Sequence, residues 1–183
     1  MRVANAILAS VVSAGLLLAS ATVGSAASQS SADMLFAEVP RVGGGYFIDF
    51  RARPSTYIGH TYIVYGRIDA SGRLIETHYA GLIPFRQPWR GLFVPIRASV
   101  QQYIDDTRRT PNAIYRVRLT AEQYRAVARR VEYLRAQDRV WHAVFLNCND
   151  FANQIAETLG MLHPPSTMPP PMWVGLFRLL NER

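Results

Sequence analysis

HTYIVYGRIDASGRLIETHYA, residues 60–80, decides how this chain is read. His60–Ile68 and Arg73–Ala80 are rich in Tyr, Ile, Val and Thr, the residues that suit a pleated, half-buried surface. Asp69-Ala70-Ser71-Gly72 between them carries turn chemistry: an Asp that can bond the backbone ahead of it and a Gly free to take a positive φ. The segment is predicted to be an antiparallel β-hairpin. Upstream, Tyr46–Arg53 alternates apolar and polar residues and reads as another strand, ended by Pro54 and Ser55. Downstream, Ile114–Leu119 reads as a strand, Pro84–Pro95 as an irregular aromatic stretch, and Ser99–Asp106 as a short helix. Thr120 and Gln123 form a capping box ahead of Tyr124, Val127, Ala128, Val131 and Leu134, whose spacing puts one apolar stripe on a helix. A short apolar segment, Val140–Leu146, runs into Asn147-Cys148-Asn149-Asp150, and Phe151, Ala152, Ile155, Ala156 and Leu159 mark the inner face of a second helix closed by Gly160. His163–Pro171 is expected to be extended, and Trp173–Leu180 to form a last helix. The fold class is α+β, a small antiparallel β-sheet packed against helices.

The chain has 183 residues, enough for one domain with a core. Residues 1–27 read as a secretory signal peptide, with an uncharged run from Ala6 to Gly24 and small residues for cleavage at Gly24–Ala27; the other reading of the run is an uncleaved membrane anchor. Residues 28–45 read as a flexible leader and 46–183 as the domain. The mature protein is therefore expected in the periplasm or outside the cell. All 20 basic residues are Arg. A Walker-type phosphate loop and a Schiff-base enzyme both need Lys and are excluded. The single cysteine excludes an internal disulfide and a four-cysteine zinc site. No short-spaced ligand pair suggests a metal, and no cofactor is expected. The net charge of +7 falls to +6 without Arg2, since 19 Arg face 13 acidic residues. Such a surface suits an anionic envelope polymer or lipid, and export makes nucleic acid an unexpected partner.

Cys148 is the first candidate for chemistry. With Asn147 as N-cap it stands at the first position of a helix, where unpaired backbone N–H groups and the helix dipole favour thiolate. Its other reading is a small apolar residue on the inner face of that helix. His60 opens an apolar strand and can present its ring at a sheet edge. His78 lies near the end of the partner strand, two or three residues out of register with His60. His142 has no evident role and His163 belongs to the surface.

Gly59-His60 opening a strand, followed by Asn147-Cys148-Asn149-Asp150-Phe151-Ala152 opening a helix, resembles the circularly permuted papain-like superfamily. That group includes permuted relatives of NlpC-type peptidases, lecithin:retinol-acyltransferase-like proteins and PPPDE-type peptidases. The resemblance spans Tyr46 to the C-terminus and implies a permuted papain-like core. It makes Cys148 the nucleophile, His60 the general base, and a third polar residue the one that orients His60: His78 first, with Thr77 or Glu76 as rivals. It implies acyl transfer through a thioester, on a peptide, a cell-wall stem peptide or a lipid. The other function class is a non-catalytic binding module of the same fold, holding an anionic envelope ligand.

Overall fold

A computed structural model describes residues 44–55, 59–85 and 87–182. The expected signal peptide and nearly all of the expected leader lie outside these residues. Six strands form one sheet: β1 (Gly45–Arg53), β2 (His60–Ile68), β3 (Leu74–Pro84), β4 (Ile96–Gln101), β5 (Ala113–Leu119) and β6 (Arg139–Trp141), in the order β5-β1-β2-β3-β4-β6, every neighbour antiparallel. Four helices accompany it: α1 (Ile104–Arg108), α2 (Ala121–Arg135), α3 (Cys148–Thr158) and α4 (Pro170–Asn181), with a 3-10 turn at Pro88–Leu92. The class is α+β, as expected.

The hairpin forms as its residues dictate. Asp69 Oδ1 accepts hydrogen bonds from the backbone N–H groups of Ser71 and Arg73, at 2.9 Å each. A bulge between Arg67 and Ile68 adjusts the register there. The capping box on α2 is present in both directions, with Thr120 and Gln123 exchanging side-chain-to-backbone bonds.

Two expectations are corrected. Ser99–Gln101, expected to begin a helix running to Asp106, instead end the strand Ile96–Gln101. Ile-Arg-Ala-Ser-Val-Gln alternates, burying Ala98 and Val100, and Gly81–Pro84 supplies a partner edge. Only 104–108 are helical. The proline segment, expected to stay extended through Pro171, enters α4 at Pro170. Proline is tolerated in the first turn because those N–H groups have no intrahelical acceptor.

The core lies between one sheet face and the helices. Ile48, Phe50, Ile63, Tyr65, Leu82 and Val117 from the sheet meet Val127, Val131, Phe151, Ile155, Trp173 and Phe177. Phe50, Trp173 and Phe177 form an aromatic stack, with ring centroids 4.5–6.2 Å apart. Fully burying each such ring contributes roughly 2–3 kcal/mol. The packing has a functional consequence: α3 is pressed on β2 and β3 with its N-terminus at the start of β2, so Cys148 arrives beside His60.

Candidate active site

α3 begins where the sequence predicts. Asn147 is the N-cap. Its Oδ1 accepts from the N–H groups of Asn149 (2.8 Å) and Asp150 (3.3 Å), and Asp150 Oδ2 accepts from the Asn147 N–H at 2.8 Å. The cap satisfies the second and third amides of the helix and leaves that of Cys148 outside it. Asn147 Nδ2 donates to Ala143 O and Ser166 O, and Asn149 Nδ2 to Ser166 O and Met168 O. Trp173 Nε1 donates to Asn153 Oδ1. These asparagines, buried at 2–7% exposure, tie the proline-rich segment to α3 and fix the helix start. Thr61 Oγ1 donates to Asn149 Oδ1 at 2.5 Å, joining α3 directly to β2.

His60 enters β2 from Gly59, whose φ is +82°. Only glycine takes that conformation readily. A Cβ there would also sit 3.2 Å from Arg53 O. This is a physical reason for glycine ahead of the histidine. The imidazole is 7% exposed and lies over Gly81, where a Cβ would come within 2.7 Å of Nε2. The missing side chain of Gly81 is the space the ring occupies.

The His60 ring faces two partners. Nε2 stands 3.6 Å from Asp106 Oδ2, an ion-pair separation just beyond hydrogen-bond length. Both atoms are buried, and neither has a hydrogen-bond partner among the described residues. The other Asp106 oxygen, Oδ1, accepts from Arg53 Nε at 2.6 Å. The second partner is the Cys148 thiol, which lines the same hollow as the His60 ring and acts on its protonation. Arg53, Asp106, His60 and Cys148 thus make a buried row drawn from β1, α1, β2 and α3.

The row sets the protonation states. Burial alone would lower the His60 pKa, but the Asp106 carboxylate and the Cys148 thiol beside it outweigh burial and push it up to about 9. Burial alone would raise the Cys148 pKa. The hydrogen bond and positive charge of His60, with the backbone N–H groups of Thr61 and Cys148, outweigh it and hold the thiol below its ordinary value. Both shifts favour the same state, thiolate beside imidazolium.

Two hollows meet at the thiol. One, of about 390 Å³, is walled by Ile83, Phe85, Leu92, Tyr103 and Trp141 and includes His60 and Cys148. The other, of about 500 Å³, runs beneath Ser166–Pro171 and also includes Cys148. The aromatic stretch and the proline segment therefore both reach the cleft.

The structure brings Cys148 and His60 together and leaves His78 out. His78 pairs in register with Tyr65, five residues along β2 from His60. Five residues of strand span about 17 Å, and an odd number places the two side chains on opposite faces. His78 Nε2 instead meets Glu76 Oε1 at 2.7 Å at the surface. Glu76 and Thr77 lie farther still, opposite Arg67 and Gly66. The carboxylate that stands beside His60 is that of Asp106. His142 is buried and uses Nδ1 to accept from the Val144 N–H, and His163 pairs with Glu157. Among the described residues, no cluster of three His, Cys, Asp or Glu side chains could hold a metal ion. No helix among them is long and apolar enough to cross a membrane.

Set against known proteins, the chain matches no family model, no curated protein and no solved structure.

Proposed function

We propose that the protein is a thiol hydrolase or acyltransferase that cleaves an amide or ester through a thioester on Cys148. The observation that carries this reading is the buried row Asp106–His60–Cys148 at a capped helix start. A structural cysteine needs no imidazole, and a structural imidazole needs no buried carboxylate behind it. The roles match those of the permuted papain-like superfamily that the Gly-His and Asn-Cys-Asn-Asp-Phe blocks resemble.

With Nε2 turned to Asp106, Nδ1 is the nitrogen that serves the thiol. It holds the thiol proton, leaving the sulfur as thiolate. The sulfur attacks the substrate carbonyl, forming a C–S bond and an oxyanion. The Cys148 N–H, left over by the Asn147 cap, points along the helix dipole and can donate to that oxyanion. The intermediate collapses to a thioester as the C–N or C–O bond breaks, and His60 gives its proton to the leaving amine or alcohol. Water or an acceptor then attacks the thioester while His60 takes its proton, and the sulfur leaves. Asp106 keeps the ring oriented and stabilises its charged form, and Arg53 holds Asp106.

Iodoacetamide labelling of Cys148 tests the reading. Its rate should rise through a pH below the ordinary thiol range. His60→Ala should return the profile to that of an ordinary thiol. Incubation with p-nitrophenyl acetate should add one acetyl group to Cys148 by mass spectrometry, and none to the variant. An ordinary thiol profile unchanged by His60→Ala, with no acyl adduct, would leave the chain as a binding module of this fold.

A further inference from the structure

The mouth of the apolar hollow carries a lip that the chemistry at Cys148 does not use. It is built from two segments, the 3-10 turn with its exit (Pro88–Val94) and the tight loop His142–Leu146. The Ala143 N–H donates to Gly91 O at 2.9 Å, which joins them into one surface. Gly91 sits against the Trp141 ring so closely that a Cβ would come within 2.4 Å of it. The lip is therefore anchored on the wall of the cleft.

Its large side chains face out. Phe93 is 76% exposed and Phe145 is 71% exposed, with Trp89 and Val144 about half exposed. Single exposed apolar residues are ordinary, but a contiguous group of this size marks an interaction surface. Phe145 is held outward by stacking on His142, with centroids 4.7 Å apart. Leu92 belongs both to the lip and to the hollow that holds Cys148.

The charge around the lip selects the partner. Pro84–Arg97 contains three Arg and no acidic residue, and Val140–Asn147 contains no acidic residue either. Arg97 lies over the Phe85 ring, and among the described residues the acid it reaches is the fully exposed Asp138, 3.8 Å away. A second copy of the chain, docked lip to lip about a two-fold axis, would set these arginines against one another. An anionic bilayer offers the reverse: acyl chains for the phenylalanines, the headgroup layer for tryptophan, and lipid phosphates for arginine.

We propose that the lip Trp89–Val94 and His142–Leu146 docks the protein on an anionic lipid surface, with the mouth of the cleft turned toward the bilayer. This goes beyond the thiol chemistry and does not depend on it.

Tryptophan provides a local readout. The chain has three, and Trp141 and Trp173 are buried at 6% and 0% exposure while Trp89 is 48% exposed. The full-length chain is mixed with vesicles of phosphatidylglycerol whose acyl chains carry bromine close to their carbonyl end, just beneath the headgroups, where it quenches tryptophan seated at that boundary. Quenching is expected with these vesicles, little with brominated phosphatidylcholine, and none in Trp89→Phe. Phe93→Ser with Phe145→Ser should weaken the quenching titration tenfold or more. Arg90→Gln with Arg97→Gln should weaken it by a similar factor, from the loss of two cations near the headgroups. Unchanged iodoacetamide labelling of Cys148 in each variant shows that the fold is intact. Absence of Trp89 quenching on vesicles that the chain co-floats with would overturn the proposal. So would a dimer in solution that the Phe93→Ser and Phe145→Ser changes dissociate.

Discussion

The β2–β3 hairpin carries two histidine–carboxylate pairs, one toward each of its ends, and the shorter pair is the less consequential. His78 and Glu76 meet at 2.7 Å, but their side chains are 47% and 37% exposed. His60 and Asp106 stand at 3.6 Å, with side chains 9% and 0% exposed. Water screens the first pair, and exposed ion pairs contribute only about 0–1 kcal/mol. The second lies where the effective dielectric is low, and there the same charges act strongly on each other and on the thiol. The pairs differ in origin as well. His78 and Glu76 are two residues apart on one strand, so the backbone alone makes them neighbours. His60 and Asp106 are joined only when α1 folds back over the sheet. Contact length does not identify the functional pair; burial and a third charged partner do.

The comparison breaks most sharply at Asp106. Asp106→Asn removes the charge that supports His60⁺ and leaves Arg53 buried without a counter-ion. Acyl transfer should fall by about 10⁴-fold, the scale seen when the carboxylate behind a catalytic histidine is neutralised. Stability should fall by about 3–5 kcal/mol, the scale for removing one member of a buried ion pair. Adding Arg53→Met separates the two effects. The double variant should regain much of the stability in urea titration yet none of the rate. The pH profile supplies the sign. His60 titrates near 9 in the parent, so the thiolate–imidazolium state dissolves as pH rises through about 9. Without Asp106 that upper limit should move to lower pH. An unmoved limit would return Asp106 to a purely structural role.

Gly81→Ala probes the same pair without touching a charge. The added methyl would meet His60 Nε2 at 2.7 Å, and the buried ring has nowhere to retreat without moving off its partners. A displacement of about 1 Å at a reacting group costs on the order of 100-fold. The labelling rate of Cys148 at pH 6 should fall by a similar factor, while Gly81→Ala binds vesicles as the parent does. Normal labelling would mean that the ring has slack, and that its position is less constrained than the packing indicates.

Much of the site was legible before folding was considered. The helix start at Cys148 could be read because its cap is local: Asn147 and Asp150 are three residues apart and bond each other. The hairpin and α2 could be read for the same reason, from turn and capping residues close in sequence. Asp106 was missed because nothing nearby distinguishes it. In Asp105-Asp106-Thr107-Arg108-Arg109 it looks like one more surface charge, and Asp105 is one, paired with Arg109 in the ordinary i,i+4 manner. What buries Asp106 is Arg53, 53 residues upstream, and the only trace of that is a strand ending in a buried arginine. Within the hairpin His78 is the nearest of the three candidates to orient His60, but strand parity places it on the opposite face. Ser99–Gln101, which belong to β4, read as the start of the helix expected over Ser99–Asp106, because six alternating residues are a weak signal until β3 supplies an edge for them to pair with.

The smallest expected effect lies at the surface pair. Glu76 is held below its ordinary carboxylate range chiefly by the hydrogen bond from His78, with Tyr124 OH a further donor at 3.3 Å. His78→Ala removes the first donor, and the Glu76 carboxylate should titrate closer to its ordinary value by NMR. Since the pair is solvated, stability should change by less than about 0.5 kcal/mol, within the range of exposed pairs. Cys148 labelling and acyl transfer should stay within twofold at every pH, because about 17 Å of strand and a change of face separate His78 from His60. A larger loss would mean that β3 transmits the state of its exposed end to Gly81 and so to the His60 ring. The two ends of the hairpin would then form one electrostatic unit rather than two.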